Sequence, residues 1–256
     1  MVYRINEIAR KVVKSYLDFL NEGQVKIDNF DLVSKLLENE TPDDFYFVQI
    51  VKRWKDNQDM PNAYDERENG RKEGNYHGGA WYLKSWRIHN VDELLSLKPE
   101  IIKWCEDNNA RAYITVNKRS EKETNDFVKI YRSKYSPDDA RYKYADDIVA
   151  GQAKSGKNWQ DTRFRLFVDV DTDNKKIWNE VLRMLDYYQI KVLDKYETPS
   201  GGLHIILSNK NNRNLYQFKK ESEKFDNFRN LGRQALVHTN EDGKLILYSN
   251  VKTKGY

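Results

Sequence analysis

The chain has 256 residues, of which 33% are charged and 39% hydrophobic, and its formal net charge is +4 at pH 7. No run of about 18 apolar residues is present, which excludes a membrane-spanning helix, and the lone Cys105 excludes an internal disulfide or a cysteine-built zinc site. The first segment lacks the pattern of a signal peptide, so we expect a cytoplasmic protein. The small positive charge is compatible with a nucleic-acid partner but does not require one.

The first half of the chain predicts a mixture of helices and strands. Apolar residues recur at helical spacing over 5–20, whereas 45–51 is rich in the aromatic and β-branched residues typical of a strand. In chain order we predict helices over 5–20, 30–37 and 91–108, strands over 45–51, 80–86 and 110–116, and a long polar hairpin loop over 55–79. Residues 120–160 are predicted to be an insertion that is helical at first and then loop-like.

The second half continues the alternation of helices and strands, so the fold class is α/β, with its strands and helices intermixed. We predict strands over 163–170, 191–196 and 203–207, helices over 175–188 and 218–233, and a closing hairpin of 235–238 with 244–248. The predicted organisation is an N-terminal α/β half, residues 1–160, and a C-terminal half, residues 161–256, packed as one unit.

The strand over 163–170 has two faces of different chemistry, because side chains alternate along a strand. One face is apolar and consists of Phe164, Leu166, Val168 and Val170. The opposite face carries Arg163, Arg165, Phe167, Asp169 and Asp171. Two carboxylates two residues apart on one face can share Mg²⁺ or Mn²⁺, which prefer hard oxygen ligands. The structural alternative is an acidic turn that caps the following helix.

A glycine-rich turn with a histidine follows about 30 residues later. Pro199, Gly201 and Gly202 form a tight turn whose bare backbone can approach a ligand, and His204 lies just inside the next strand. A histidine in that position can bind a phosphate or a reacting oxygen. A histidine that is only structural is the alternative interpretation.

Together, Phe-Val-Asp-Val-Asp at 167–171 and Ser-Gly-Gly-Leu-His at 200–204 resemble the first two motifs of the archaeo-eukaryotic primase superfamily. The resemblance covers about residues 161–210 and implies a primase-like catalytic core with an RRM-related C-terminal half. It also implies that Asp169 and Asp171 bind the catalytic Mg²⁺ or Mn²⁺ ions and that His204 contacts the phosphates of the incoming nucleotide. Arg165, Ser200 and Gly202 would be neighbouring nucleotide-binding residues.

The third motif of that family is an acidic residue on a later strand, and here the sequence departs from it. Asp242 is a weak candidate for a third metal ligand, because Asp-Gly is also a hairpin-turn signal.

Lys118 and Arg119, at the end of a predicted strand, are candidates for nucleotide contact, as is the basic and aromatic stretch 52–55; each could equally be a solvated strand end. Residues 151–158 nearly match a phosphate-binding loop but lack its hydroxyl and its helix, so we interpret them as a flexible basic loop.

The function that the resemblance implies is nucleotidyl transfer: a primase or primase-polymerase that joins nucleoside triphosphates on a DNA or RNA template, with two metal ions. A helicase or polymerase would act with it in trans, no membrane is involved, and the chain could be phage-encoded and act in the host cytoplasm. Two alternatives stay open. One is a catalytically weak or inactive nucleic-acid-binding replication accessory protein, and the other is a metal-dependent phosphodiesterase or nuclease.

Overall fold

The computed structural model describes residues 26–37, 43–53, 56–57, 76–77, 80–143, 145–146, 165–208, 212–228, 236–240 and 243–251. The predicted helix over 5–20, most of the loop over 55–79, the basic loop 151–158 and Asp242 lie outside these residues. Within them the protein is mixed α/β, as the sequence predicts, and both of its sheets are antiparallel. None of the helices in these ranges is both long and apolar enough to cross a membrane.

The first sheet has seven antiparallel strands and takes its strands mainly from the first half of the chain. They are β1 (Ile27–Asp28), β2 (Asp44–Arg53), β3 (Tyr76–His77), β4 (Ala80–Ile88), β5 (Arg111–Thr115), β6 (Arg119–Ser120) and β11 (Lys244–Ser249). Their order is β1-β11-β5-β2-β4-β3, and β6 pairs with the start of β2. The predicted strands over 45–51, 80–86 and 110–116 are therefore confirmed, with β2 and β4 forming the predicted antiparallel pair.

Two helices, α1 (Phe30–Leu36) and α2 (Val91–Asn108), pack on the apolar face of the first sheet. The side chain of Asn90 caps α2 by accepting a hydrogen bond from the Glu93 amide at 2.8 Å. Leu94, Ile101 and Cys105 follow at helical spacing and are buried in the same core. The predicted helices over 30–37 and 91–108 are confirmed within a residue at each end. The helical start of the insertion is also confirmed, as α3 (Glu121–Arg132) and α4 (Ala140–Lys143).

The second sheet has four antiparallel strands in a βαββαβ arrangement. In chain order its elements are β7 (Arg165–Val170), α5 (Lys175–Tyr187), β8 (Val192–Glu197), β9 (Leu203–Ser208), α6 (Asn212–Ser222), a 3₁₀ helix (Glu223–Phe228) and β10 (Val237–Asn240). The strand order is β10-β7-β9-β8, so the first strand of the unit is central. The apolar row of β7 packs under α5 and α6, in one core that contains Leu166, Val168, Val181, Leu185 and Phe218.

Two predictions about the last third of the chain are wrong. The strands over 235–238 and 244–248 do not form a hairpin, because β10 pairs with β7 in the second sheet while β11 pairs with β5 and β1 in the first. The helix predicted over 218–233 instead begins at Asn212, and its α-helical part ends at Ser222. Since β11 returns to the first sheet, the boundary between the sheets does not coincide with the predicted division at residue 161.

The two sheets contact each other through the face of β7 and β9 that the helices leave uncovered. Phe167 and Ile206 from this face belong to the core of the first sheet. The side chain of Asn117, just after β5, donates to the Arg165 carbonyl and accepts from the Arg165 amide, both at 2.8 Å. The polar residues of β7 and β9 therefore lie next to the first sheet.

Candidate functional site

Three polar side chains form a row across three neighbouring strands of the second sheet. Asp169 on β7 is directly opposite His204 on β9, and His204 is directly opposite Tyr196 on β8. Directly opposed residues in antiparallel strands point to the same face of the sheet. The period-two pattern of β7 therefore predicts this face correctly, and the register adds Tyr196 to it.

His204 lies at the centre of this row. Its Nε2 lies 3.4 Å from Oδ1 of Asp169, and its Nδ1 is 2.7 Å from the Tyr196 hydroxyl oxygen. The rings of Phe167 and Tyr196 contact the imidazole edge to face, with centroid distances of 4.6 and 5.1 Å. The side chain of His204 is 10% exposed and that of Asp169 is 38% exposed. The imidazole is thus held tightly while the carboxylate remains accessible to a ligand.

Tyr196 connects this row to the first sheet. Its hydroxyl oxygen accepts a hydrogen bond from the backbone amide of Ile246, on β11, at 2.7 Å. Burial is the main cause that raises the pKa of the Tyr196 phenol above its usual range, and the charge of Asp169 adds to it. The phenol therefore keeps its proton at neutral pH and can donate it.

Asp171 lies two residues beyond Asp169, at the end of β7, and is exposed. Its backbone amide donates to the Leu236 carbonyl at 2.9 Å, which continues the pairing next to β10. The cap of the following helix is Asn174, whose side chain accepts from the Lys176 amide at 3.0 Å. The structural alternative of an Asp-built helix cap is therefore wrong, because Asn174 has that role.

The glycine-rich turn lies directly against the end of β7. The Thr198 hydroxyl accepts from the Gly202 amide at 2.9 Å and also contacts the Ser200 hydroxyl at 3.1 Å. A Cβ on Gly202 would come within 2.7 Å of the Val170 carbonyl oxygen, so only glycine fits there. This close approach places Gly202 beside the end of β7, which carries Asp169 and is followed directly by Asp171.

Polar residues of the first sheet lie close to the same row. Arg53 donates to the Tyr113 hydroxyl at 3.3 Å. Tyr113 is the main cause that raises the pKa of Arg53, and the charges of Asp56 and Asp169 add to it. Arg53 thus places a positive charge near the exposed carboxylate of Asp169. Sequence reasoning selected the stretch that contains Arg53 but missed Tyr113, although its position between Ala112 and Ile114 predicts a polar side chain on the opposite face.

Three basic residues that the sequence analysis selected as candidates for nucleotide binding make contacts outside the row of Asp169, His204 and Tyr196. Arg165 donates to the backbone carbonyls of Leu36 and Val116, and it lies four residues, about 13 Å along the strand, from Asp169. Arg119 is only 1% exposed, which argues against contact with a nucleotide, and the Lys118 ammonium lies over the Tyr46 ring at 5.9 Å. The roles proposed for these residues in nucleotide binding gain no support from their positions.

The comparisons with known proteins give no further assignment. No protein-family model, no curated protein and no solved structure matches the chain. Within the described ranges, no group of three His, Cys, Asp or Glu side chains is arranged to hold a metal ion. Asp169 and Asp171, the metal ligands predicted from the sequence, are therefore not part of such a three-residue group.

Proposed function

We propose that the protein is a nucleotidyltransferase of the primase-polymerase type, which joins nucleoside triphosphates on a nucleic-acid template. The observation that carries this proposal is the direct pairing of Asp169 with His204, with Asp171 at the end of the same strand. The pairing combines the two motifs that resemble the primase superfamily in one site. The βαββαβ order of the second sheet supports an RRM-related catalytic half.

Asp169 and Asp171 would hold Mg²⁺ or Mn²⁺ in this function. The donor set fits, because Mg²⁺ is commonly bound by one or two carboxylates and completes its shell with water and substrate phosphates. When bound, the metal ions would activate the attacking hydroxyl and neutralise charge on the triphosphate. The exposure of both carboxylates supports this role.

The remaining residues of the site would bind and orient the triphosphate. His204 would donate a hydrogen bond from Nε2 to a phosphate oxygen, since this nitrogen lies beside Asp169. The backbone of the turn that contains Gly202 would allow close approach of the phosphates. Arg53 would balance negative charge from the side of the first sheet.

A second candidate function is a nucleic-acid-binding accessory protein with little or no catalytic activity. The observation that favours it is the absence of a third metal-ligating side chain beside Asp169 and Asp171 in the ranges that the structure describes. A site with two protein ligands binds metal more weakly than one with three. Activity, rather than nucleic-acid binding, separates the two candidates.

Extension of a labelled primer on a DNA or RNA template, with Mn²⁺ and nucleoside triphosphates, tests the proposal. We expect incorporation by the wild type, loss of at least a hundredfold in Asp169→Asn and Asp171→Asn, and wild-type activity in Asp186→Asn, an exposed aspartate on α5. Binding of the template without incorporation would favour the accessory protein. Shortening of the primer in the absence of nucleotides would favour a nuclease.

A further inference from the structure

We propose that Tyr196 is a positioning residue that fixes the proton of the neutral His204 ring on Nε2. His204 then acts as a hydrogen-bond donor toward phosphate and not as a metal ligand through that nitrogen. The inference rests on the proposed function for its ligand, but the state of the ring is a property of the protein alone.

The hydrogen bonds around the Tyr196 hydroxyl determine which atom donates. The Ile246 amide can only donate, so it occupies one lone pair of the hydroxyl oxygen. The phenol keeps its own proton, because burial raises the pKa of Tyr196. In the described part of the chain, the acceptor within reach of that proton is Nδ1 of His204, at 2.7 Å.

A hydrogen bond from Tyr196 to Nδ1 leaves Nε2 as the protonated nitrogen of the neutral ring. The opposite tautomer would make Nδ1 a second donor to the same hydroxyl oxygen, and the phenol proton would then lose its acceptor. Nε2 lies 3.4 Å from Oδ1 of Asp169, so its N–H lies beside the carboxylate that would hold the metal in the proposed function. The rings of Phe167 and Tyr196 prevent the imidazole from turning away.

The first test is the tautomer of His204 in the intact chain, read from long-range ¹H–¹⁵N correlations of the imidazole. The spectra are recorded over a pH series, and His204→Gln identifies the signals among the four histidines. We expect a protonated Nε2 and an unprotonated, hydrogen-bonded Nδ1 in the neutral ring. A protonated Nδ1 overturns the inference, whether or not the protein incorporates nucleotides.

The second test is a set of matched variants assayed by primer extension. Tyr196→Phe removes only the hydroxyl and should raise the KM for the nucleotide roughly three- to tenfold with a smaller change in kcat, whereas Tyr187→Phe, on the exposed face of α5, should change neither. His204→Gln presents an amide donor near the position of Nε2 and no longer depends on Tyr196. Tyr196→Phe should therefore have no further effect in that background, and an equal effect there would show a merely structural role.

Failure of the proposed function gives a different pattern from failure of this inference. If no variant incorporates nucleotides, the function is wrong, and the NMR spectra still decide the role of Tyr196. If the wild type is active and its neutral His204 carries the proton on Nδ1, the inference is wrong and the function stands.

Discussion

Gly202 allows the glycine-rich turn of the candidate site to pack directly against β7. Its α-carbon lies so close to β7 that a Cβ would meet the Val170 carbonyl oxygen at 2.7 Å and the Thr198 hydroxyl at 3.2 Å. The neighbouring Gly201 has φ +79°, a conformation that L side chains rarely adopt. The turn can therefore approach β7 because Gly202 has no Cβ, and Gly201 avoids the strain that a side chain would have at its φ.

Replacement of Gly202 by alanine should lower the free energy of unfolding by about 1–3 kcal/mol, because the new Cβ has no room beside the backbone of β7. Urea unfolding checks this, with Ser200→Ala as the control, since Ser200 is exposed and its loss should change stability little. Equal stabilities of Gly202→Ala and the wild type would show that the turn does not pack on β7 as described.

Alternation along a strand predicts a residue's face but not its long-range partners. It correctly places Asp169 opposite the apolar row of β7, and His204 opposite Leu203 and Ile205. It cannot predict that the hydroxyl of Tyr196 meets the Ile246 amide, because 50 residues and a different sheet separate the two. For the same reason the burial of Arg119 has no signal in the local sequence.

At the scale of the elements, one buried ion pair ties the segment after β2 to β5. Arg111 donates from Nε and from one terminal nitrogen to the Asp56 carboxylate, at 2.7 and 2.5 Å, and both side chains are almost fully buried. A bidentate pair of this kind fixes the geometry of both partners. It therefore holds Asp56, three residues after the end of β2, against the first sheet.

Asp56→Asn should lower the free energy of unfolding by about 3–5 kcal/mol, because it leaves the charge of Arg111 buried without a partner. The matched control is Asp126→Asn, which breaks the exposed Lys122–Asp126 pair and should cost less than about 1 kcal/mol. Chemical denaturation of both variants measures the difference. Equal and small losses would mean that Asp56 is solvated in the folded protein.

The incorrectly predicted hairpin of 235–238 with 244–248 shows that local sequence does not determine which strands pair. Residues 240–243 carry an Asp-Gly turn signal, and a strand lies on each side of it, so local rules predict that these strands pair. In the structure each strand has a partner far away in the chain, β7 for β10 and β5 for β11. A Cβ on Gly243 would collide with the Phe167 side chain, so the backbone just before β11 lies in close contact with β7. A local turn signal therefore does not determine which sheet each of the flanking strands joins.

For the molecule as a whole, Phe167 and Ile206 of the second sheet pack in the core of the first, and the chain returns from the second sheet to the first as β11. We therefore expect the two sheets to unfold together. Far-UV and near-UV circular dichroism should give coincident urea transitions in the wild type. Asn117→Ala leaves the Arg165 amide and carbonyl without their partner, so it should shift both transitions together by about 1–3 kcal/mol. Two separate transitions would show that the sheets are independent units.

The central claim is that Asp169 and Asp171 form a metal site, and thermal melting with and without Mn²⁺ tests it most directly. Saturating Mn²⁺ should raise the Tm of the wild type by several degrees, because a ligand that binds only the folded state stabilises it. Mn²⁺ should not raise the Tm of the double variant Asp169→Ala/Asp171→Ala. The control is the double variant Glu180→Ala/Asp186→Ala, which loses two exposed carboxylates of α5 and whose Tm should still rise with Mn²⁺. Without metal, the Asp169→Ala/Asp171→Ala variant should melt close to the wild-type temperature, since the loss of repulsion between two like charges offsets the loss of the attraction between Asp169 and Arg53. A wild type that is insensitive to Mn²⁺, together with an Asp169→Ala/Asp171→Ala variant that melts several degrees lower, would contradict the account.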